Sequence, residues 1–129
     1  MDTSVLIDVL DEDEEWMDWS AAMLARAGES GPVIINPLVY AETSVAYRTI
    51  EALDAALPTA YFVREPLPWT AAFLAAKAFA AYRRRGGVRR SPLADVYIGA
   101  HAAVAGYTLL TRDAARYRTY FPKLRIVAP

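Results

Sequence analysis

The stretch from residue 91 to residue 113 constrains the fold more than any other part of the chain. It reads SPLADVYIGAHAAVAGYTLLTRD. Ser91 followed by Pro92 is typical of a helix start, because the hydroxyl caps free amides and the proline needs no hydrogen bond there. Small and apolar residues at helical spacing continue to Gly106, which suits the left-handed turn after a helix. A short, β-prone segment at 107–111 follows at once, so the stretch predicts a helix and a strand in direct succession.

Two carboxylates border this helix and strand. Asp95 falls in the first turn of the predicted helix, and Asp113 comes just past the carboxyl end of the predicted strand. Open α/β sheets place their ligands at the carboxyl ends of strands. Both aspartates are therefore candidate site residues.

Other segments alternate between strand and helix patterns. Residues 33–35 predict a short buried strand, and Asn36 with Pro37 repeats the cap-then-proline start of a helix of roughly ten or more residues. A long alanine-rich helix is predicted over 69–85. Strands that alternate with helices indicate a parallel central sheet, so we expect one α/β domain over residues 1–129.

The spacing of apolar residues predicts which face of each helix is buried. On the helix after Asn36, this face comprises Leu38, Ala41, Val45 and Ala46. On the alanine-rich helix it comprises Ala72, Phe73, Ala76, Phe79 and Ala80. Glu42 lies on the same face as Leu38, where a carboxylate is costly unless a cation or hydrogen-bond donors meet it. A ligand role and a surface position therefore both stay open for Glu42.

The amino-terminal segment groups an acid with two hydroxyls. Asp2, Thr3 and Ser4 can cap a helix or ligate a hard cation. Asp8 is expected to face solvent. Trp16 and Trp19 form an apolar stripe at helical spacing, which predicts either core or a surface that faces a partner.

Charge is distributed unevenly along the chain. Residues 1–65 hold thirteen acids and three arginines, whereas residues 66–129 hold eleven of the fourteen basic residues and only two acids. A basic surface with a few acids set into it suits a polyanionic substrate and a cation that activates it. We expect phosphate contacts from Arg83, Arg84, Arg85, Arg89, Arg90 and Arg112.

Composition excludes several classes of site. The chain has no cysteine, which rules out thiolate catalysis and thiolate zinc sites and fits a reducing cytosol. Its single histidine, His101, rules out a histidine-rich metal site and a Ser/His/Asp triad, and we interpret it as a structural residue. No signal-peptide pattern and no apolar run of membrane-spanning length is present, so we expect a cytoplasmic protein without a membrane partner.

Four acids have reasons to converge, since each lies near a strand end or the helix start after one. They are Asp2, Glu42, Asp95 and Asp113. Carboxylates that close repel one another, and a divalent cation is the natural counter-charge. Ligation by oxygen alone selects Mg²⁺ or Mn²⁺, which can activate a water against a phosphodiester.

Four segments together resemble a PIN-domain ribonuclease of the VapC toxin type. They are DTSVLID, NPLVYAE, SPLADVYIGAHAAVAG and TRDAARYRTYFPKLRIVAP. The resemblance implies a three-layer α/β/α domain, a Mg²⁺- or Mn²⁺-dependent endoribonuclease, a homodimer and inhibition by a VapB-like antitoxin. It places the family's acidic site on Asp2, Glu42, Asp95 and Asp113, and its hydroxyl positions on Thr3 and Ser4.

Two points stay open at this stage. Members of that family usually carry a few apolar residues before the first aspartate, whereas here Asp2 follows Met1 directly, so we expect a late start or a trimmed chain. The alternatives in function are a phosphoacceptor receiver-like domain and a non-catalytic RNA-binding or protein-interaction module. The receiver-like hypothesis requires a lysine after a late strand, and Lys123 precedes its predicted strand.

Overall fold

The structure, a computed structural model, describes residues 1–90 and 94–129. The helices in these ranges are α1 (Thr3–Leu10), α2 (Met17–Ser30), α3 (Pro37–Ser44), α4 (Ile50–Ala56), α5 (Trp69–Arg84), α6 (Ala94–Ala105) and α7 (Ala114–Tyr120). The strands are β1 (Val33–Ile35), β2 (Phe62–Arg64), β3 (Leu109–Leu110) and β4 (Ile126–Val127). Ser91 and Pro92, the predicted start of α6, lie outside the described residues.

The described strands form two parallel pairs. β1 pairs with β2, with Val33 opposite Phe62, and β3 pairs with β4, with Leu109 opposite Ile126. The chain start lies between the two pairs: the Met1 nitrogen donates to the Ile34 carbonyl at 3.0 Å, and the Asp2 amide donates to the Leu110 carbonyl at 2.9 Å. Parallel strands among helices confirm the predicted α/β class.

The cap-then-proline prediction at Asn36 is confirmed. The Asn36 side-chain oxygen accepts hydrogen bonds from the amides of Leu38 at 3.0 Å and Val39 at 3.2 Å, and Pro37 occupies the first helical turn. Gly106 has a φ of +71°, as expected for the residue that ends α6. These two signals fix where α3 begins and where α6 ends.

The hydrophobic core has two parts. The larger joins both strand pairs to helices, through residues such as Leu6, Ile35, Ile98 and Leu109. The smaller lies where α5, α6 and α7 meet, and consists of Ala71, Ala75, Val96, Ala100, Tyr120 and Phe121. Between them they tie α6 to the strands on one side and to α5 on the other.

The predicted buried face of α5 is wrong by one position. Ala71 and Ala75 are fully buried, whereas Phe73 is largely exposed. Small residues let α5 approach α6 closely, so alanines occupy the contact and the larger ring faces outward. Within the described ranges, we find no helix with both the length and the apolar character that crossing a bilayer requires.

Candidate active site

Asp2 is held in place by three hydroxyl groups. Its Oδ2 accepts hydrogen bonds from Ser4 Oγ and Thr111 Oγ1, and its Oδ1 accepts one from the Tyr117 hydroxyl, all at 2.7 Å. Asp2 directly precedes α1 and has extended backbone angles, and its amide N–H donates to the Leu110 carbonyl as in a strand pair. The carboxylate therefore has a defined orientation at the carboxyl end of β3.

Glu42 lies beside Asp2 on the exposed side of α3. Thr3 Oγ1 donates to Glu42 Oε1 at 2.8 Å, so the hydroxyl next to Asp2 along the chain orients this second acid. The predicted buried face of α3 is wrong, because Val39 and Thr43 are buried while Val45 is 89% exposed. The helix is shorter than predicted and ends at Ser44, before Val45 and Ala46 could continue a face.

Asp95 and Asp113 share one guanidinium. Arg116 Nε lies 3.6 Å from Asp95 Oδ2 and 3.3 Å from Asp113 Oδ2. Asp113 also caps α7, because its Oδ1 accepts a hydrogen bond from the Arg116 amide at 3.2 Å. Asp95 is only 9% exposed, and its Oδ2 atom is buried without a hydrogen-bond partner.

We use the name acidic patch for the four candidate acids Asp2, Glu42, Asp95 and Asp113, the first of which accepts a hydrogen bond from Tyr117. The Tyr117 side chain is buried, and burial together with its hydrogen bond to Asp2 raises the pKa of the Tyr117 hydroxyl. The negative charges of Asp2, Asp95 and Glu42 raise this pKa further. The Arg116 guanidinium lies close to both Asp95 and Asp113 and so links these two acids.

The donor set of this patch suits a hard cation. It offers carboxylate and hydroxyl oxygens. The Oδ2 of Asp95 lies 3.6 Å from Arg116 Nε but has no hydrogen-bond partner, and it is the kind of buried atom that a cation would satisfy. In the part of the chain that the structure describes, however, no group of three or more acids or histidines is close enough to hold a metal ion. Hydroxyls orient Asp2 and Glu42, and Arg116 lies between the other two acids. Shared ligation by all four acids stays a prediction.

Arg112 has a partner within the protein. Its Nη1 donates to Asp8 Oδ1 at 2.8 Å, and its guanidinium lies 5.5 Å from the centre of the Trp16 ring. Asp8 is 2% exposed and also accepts a hydrogen bond from Ser20 Oγ at 2.7 Å. The expectation that Asp8 faces solvent is wrong. Helix α2 packs over α1 and supplies Ser20, and Arg112 reaches Asp8 from the segment that follows β3.

The predicted arginine loop lies at the end of α5 and beyond it. Its members Arg83, Arg84, Arg85, Arg89 and Arg90 are all exposed. Two of them brace the loop: Arg83 donates to the Arg89 carbonyl, and Arg85 donates to the Thr119 carbonyl at 2.7 Å. The contact with Thr119 places Arg85 beside α7, the helix that Asp113 caps.

His101 lies in α6, away from these acids. It is 4% exposed, its Nδ1 is 3.1 Å from the Asn36 amide nitrogen, and its Nε2 is 3.4 Å from Glu65 Oε2. These contacts agree with a structural role and connect α6 to the start of α3.

Three contributors escaped the sequence analysis. Thr111, Arg116 and Tyr117 all contact the acids directly. One signal was available for Arg116, because it lies three residues after Asp113, the spacing at which a cap residue meets its helix. Tyr117 stood out only as an aromatic residue, and its contact with Asp2 spans most of the chain.

Comparison with known proteins identifies the family. Residues 1–122 match the PIN domain. The chain belongs to the PIN domain family. Membership supports a nuclease site on this PIN domain and disfavours the receiver-like alternative. A search of curated protein sequences finds no match.

Two solved structures share the fold of this PIN domain. VapBC2 from Rickettsia felis, bound to a DNA fragment from its promoter, has a TM-score of 0.75 at 14% identity, with 99% of this chain and 96% of that chain covered. VapBC-1 from nontypeable Haemophilus influenzae has a TM-score of 0.74 at 15% identity, with 98% and 94% covered. At such low identity these similarities establish the fold alone.

Proposed function

We propose that this PIN domain is a Mg²⁺- or Mn²⁺-dependent endoribonuclease that acts as the toxin of a toxin-antitoxin pair. The observation that carries the proposal is Asp95, a carboxylate only 9% exposed whose Oδ2 has no hydrogen-bond partner and lies 3.6 Å from Arg116 Nε. A protein does not bury a charge in this way without a use for it or a partner for it. The family match and the similar VapBC folds support the same conclusion.

Asp2, Glu42, Asp95 and Asp113 would hold the cation. A bound Mg²⁺ or Mn²⁺ supplies a more acidic water and a counter-charge for the phosphodiester. Four hydroxyl groups keep Asp2 and Glu42 oriented, so these carboxylates need no side-chain rearrangement when the cation binds. The hydroxyls belong to Thr3, Ser4, Thr111 and Tyr117. Arg116 holds Asp95 and Asp113 in a fixed relation through its backbone amide and guanidinium.

The acid requirement is tested with Asp95→Asn, which preserves shape but removes the ligand charge. We expect calorimetry to show loss of Mn²⁺ binding. We also expect the rate of RNA cleavage to fall at least about 100-fold, the size of effect that losing one electrostatic contact to the transition state typically has. Asp18→Asn, an exposed acid on α2, is the matched control and should keep both. Wild-type-like cleavage by the Asp95 variant, or full cleavage in excess EDTA, would refute the mechanism.

The exposed arginines supply the RNA contacts in this proposal. Replacing Arg84, Arg89 and Arg90 by alanine should weaken binding of many single-stranded RNAs alike and reduce the log-log salt slope by about 0.7 per lost contact. The control is Arg48→Ala, an exposed arginine of the other half of the chain. An unchanged slope would return the loop to being an ordinary solvated surface.

A VapB-like antitoxin is the partner that we propose. A groove of about 380 Å³ opens next to Glu42, lined by apolar residues that include Ile7, Leu10, Val45 and Tyr47. An amphipathic segment could bury its apolar side chains there and direct a basic one toward the acids. Trp16 and Trp19, first considered for this role, are half-buried and pack edge to face at 6.4 Å.

Val45→Asp tests this surface, because Val45 is exposed and lies outside the acidic patch. We expect the variant to cleave RNA normally and to escape inhibition by the product of the adjacent reading frame. Val104→Asp, at an exposed valine of α6, should stay inhibited. Inhibition of both variants would refute the groove as the docking surface. Failure of any neighbouring product to bind the wild type would count against the toxin assignment. The proposal also includes a homodimer, measurable by light scattering, and action on RNA in the cytoplasm.

The non-catalytic module of the same fold stays as the second candidate. It is favoured by Arg116, which already gives Asp95 and Asp113 a positive partner. RNA binding without any Mn²⁺ binding would decide for it.

A further inference from the structure

Buried polar side chains connect the start of α3 to the middle of α6. Asn36 is 5% exposed and His101 is 4% exposed, and Asn36 Nδ2 lies 3.1 Å from His101 Nδ1. On the other side of the imidazole ring, His101 Nε2 lies 3.4 Å from Glu65 Oε2. Glu65 Oε1 in turn accepts a hydrogen bond from the Tyr107 hydroxyl at 2.6 Å. We use the name polar bridge for these four residues.

Asn36 determines which nitrogen of His101 carries the ring hydrogen. The Asn36 Oδ1 caps α3, because it accepts hydrogen bonds from the amides of Leu38 and Val39. Only the NH₂ group of this side chain is then left to face the imidazole, and an NH₂ group is a donor. His101 Nδ1 must therefore be the acceptor. The ring hydrogen is on Nε2, which is the nitrogen next to the Glu65 carboxylate.

The polar bridge joins two helices that carry candidate acids. Asn36 is the cap of α3, and Glu42 lies within that helix. His101 lies in α6, whose first turn contains Asp95. Apolar contacts between two helices tolerate small shifts, whereas a buried donor that loses its acceptor costs free energy at once. The hydrogen bond between Asn36 and His101 therefore fixes α3 against α6.

We propose that His101 is a positioning residue for the acidic patch. By accepting from Asn36, it keeps Glu42 of α3 and Asp95 of α6 in a fixed relation when a cation binds. His101 acts through Asn36 and the two helix backbones, not by contact with the cation. This inference rests on the proposed function, and it gives the single histidine of the chain a role that core packing alone does not supply.

Two substitutions of His101 separate the hydrogen bond from packing. His101→Leu fills the site with an apolar side chain and leaves the Asn36 NH₂ group without an acceptor. His101→Asn is smaller, but its amide oxygen can accept from Asn36. Both variants lose the contact with Glu65. If His101 only fills space, the smaller asparagine should be the more harmful replacement, because it leaves the larger cavity.

Positioning predicts the opposite order in calorimetric titrations with Mn²⁺. We expect His101→Leu to bind Mn²⁺ about three- to tenfold more weakly than the wild type, and His101→Asn to stay within about twofold of it. Asn36→Ser keeps a capping oxygen for α3 but loses the donor to His101, so it should resemble His101→Leu. The double variant Asn36→Ser, His101→Leu should bind no more weakly than either single variant, because both remove the same hydrogen bond.

Nuclear magnetic resonance supplies a measurement that needs no metal. The chain has one histidine, so the nitrogen signals of its ring are unambiguous. We expect the cross-peak pattern of the Nε2–H tautomer in the wild type, and a mixture of tautomers in Asn36→Ser. The Nδ1–H tautomer in the wild type would overturn the proposal.

The Mn²⁺ titrations also distinguish this proposal from the function on which it rests. If the wild type binds Mn²⁺ and His101→Leu binds it equally well, or better than His101→Asn, the positioning role is overturned and the proposed nuclease site stands. If the wild type itself binds no Mn²⁺, the proposed function fails and the positioning role fails with it.

Discussion

Removing the Arg112 side chain distinguishes a structural role for this residue from a role in RNA binding, because the first affects protein stability and the second affects RNA affinity. Arg112 was expected to contact RNA, yet its guanidinium is paired with Asp8 at 2.8 Å and stacks near Trp16. If the pair is structural, Arg112→Ala leaves a carboxylate that is 2% exposed with only the Ser20 hydroxyl for compensation. If Arg112 binds phosphate, its removal affects RNA and not folding.

The magnitude can be worked out from the contacts. Breaking a fully buried ion pair by removing one partner costs about 3–5 kcal/mol. The Arg112 side chain is 34% exposed, so water can partly replace it, and about 2–3 kcal/mol is the better value. The lost contact with Trp16 adds about 0.5 kcal/mol. For a chain of this size, a loss of about 3 kcal/mol lowers Tm on the order of 10 °C.

Thermal and urea unfolding of four proteins measure this effect. Besides the wild type and Arg112→Ala, Asp8→Asn and the double variant complete a cycle, and we expect a coupling energy of about 1–2 kcal/mol between the two positions. Arg118→Ala, at an exposed arginine of α7, is the control and should melt within about 2 °C of the wild type. The structural reasoning is refuted if Arg112→Ala melts like this control while the salt slope of RNA binding falls by about 0.7.

Three further substitutions test other parts of the structure. Thr3→Val keeps the shape but removes the hydroxyl that orients Glu42, so we expect about tenfold weaker Mn²⁺ binding by calorimetry, whereas Thr119→Val should bind normally. Gly99→Ala places a methyl group 2.7 Å from Phe121 Cδ2, and urea unfolding should show a loss of about 1–3 kcal/mol, a result that a normal midpoint would contradict. Tyr107 donates to Glu65 at 2.6 Å, which raises the pKa of Tyr107, so its stabilising contribution is present below about pH 10 and lost as pH rises further. The stability difference between wild type and Tyr107→Phe should therefore shrink as the pH rises above about 10, and a constant difference would refute the linkage.

Local signals predicted element boundaries well where a residue acts on its own segment of the chain. Asn36 begins α3 through its own side-chain oxygen, and Gly106 ends α6 through its own positive φ. Neither requires knowledge of any distant residue. Burial does require it: in α5, Phe73 and Ala75 are both apolar, and only the approach of α6 decides that the alanine is inside.

The sequence supplies a reason to propose four candidate acids, because strand ends gather ligands, but it does not reveal which residues contact them. Thr111 is separated from Asp2 by most of the chain, and it contacts Asp2 only because the start of α1 lies against the end of β3. The prediction that Asp8 faces solvent failed for the same reason, since its partner Arg112 comes from the carboxyl-terminal half of the chain. Periodicity along one helix carries no information on which charged residue a distant segment contributes.

The uneven charge of the chain acquires a specific meaning in the fold. The acid-rich half and the arginine-rich half meet through the Asp8–Arg112 pair, which uses one arginine for structure. Arg116 is used within the acidic patch, where it offsets Asp95 and Asp113. The arginines at positions 83, 84, 85, 89 and 90 instead lie exposed, and Arg85 contacts Thr119 of α7, the helix that Asp113 caps. A polyanion would meet this positive loop first and then reach the acids. Because phosphate and carboxylate repel each other, their approach would be favourable only with a cation between them.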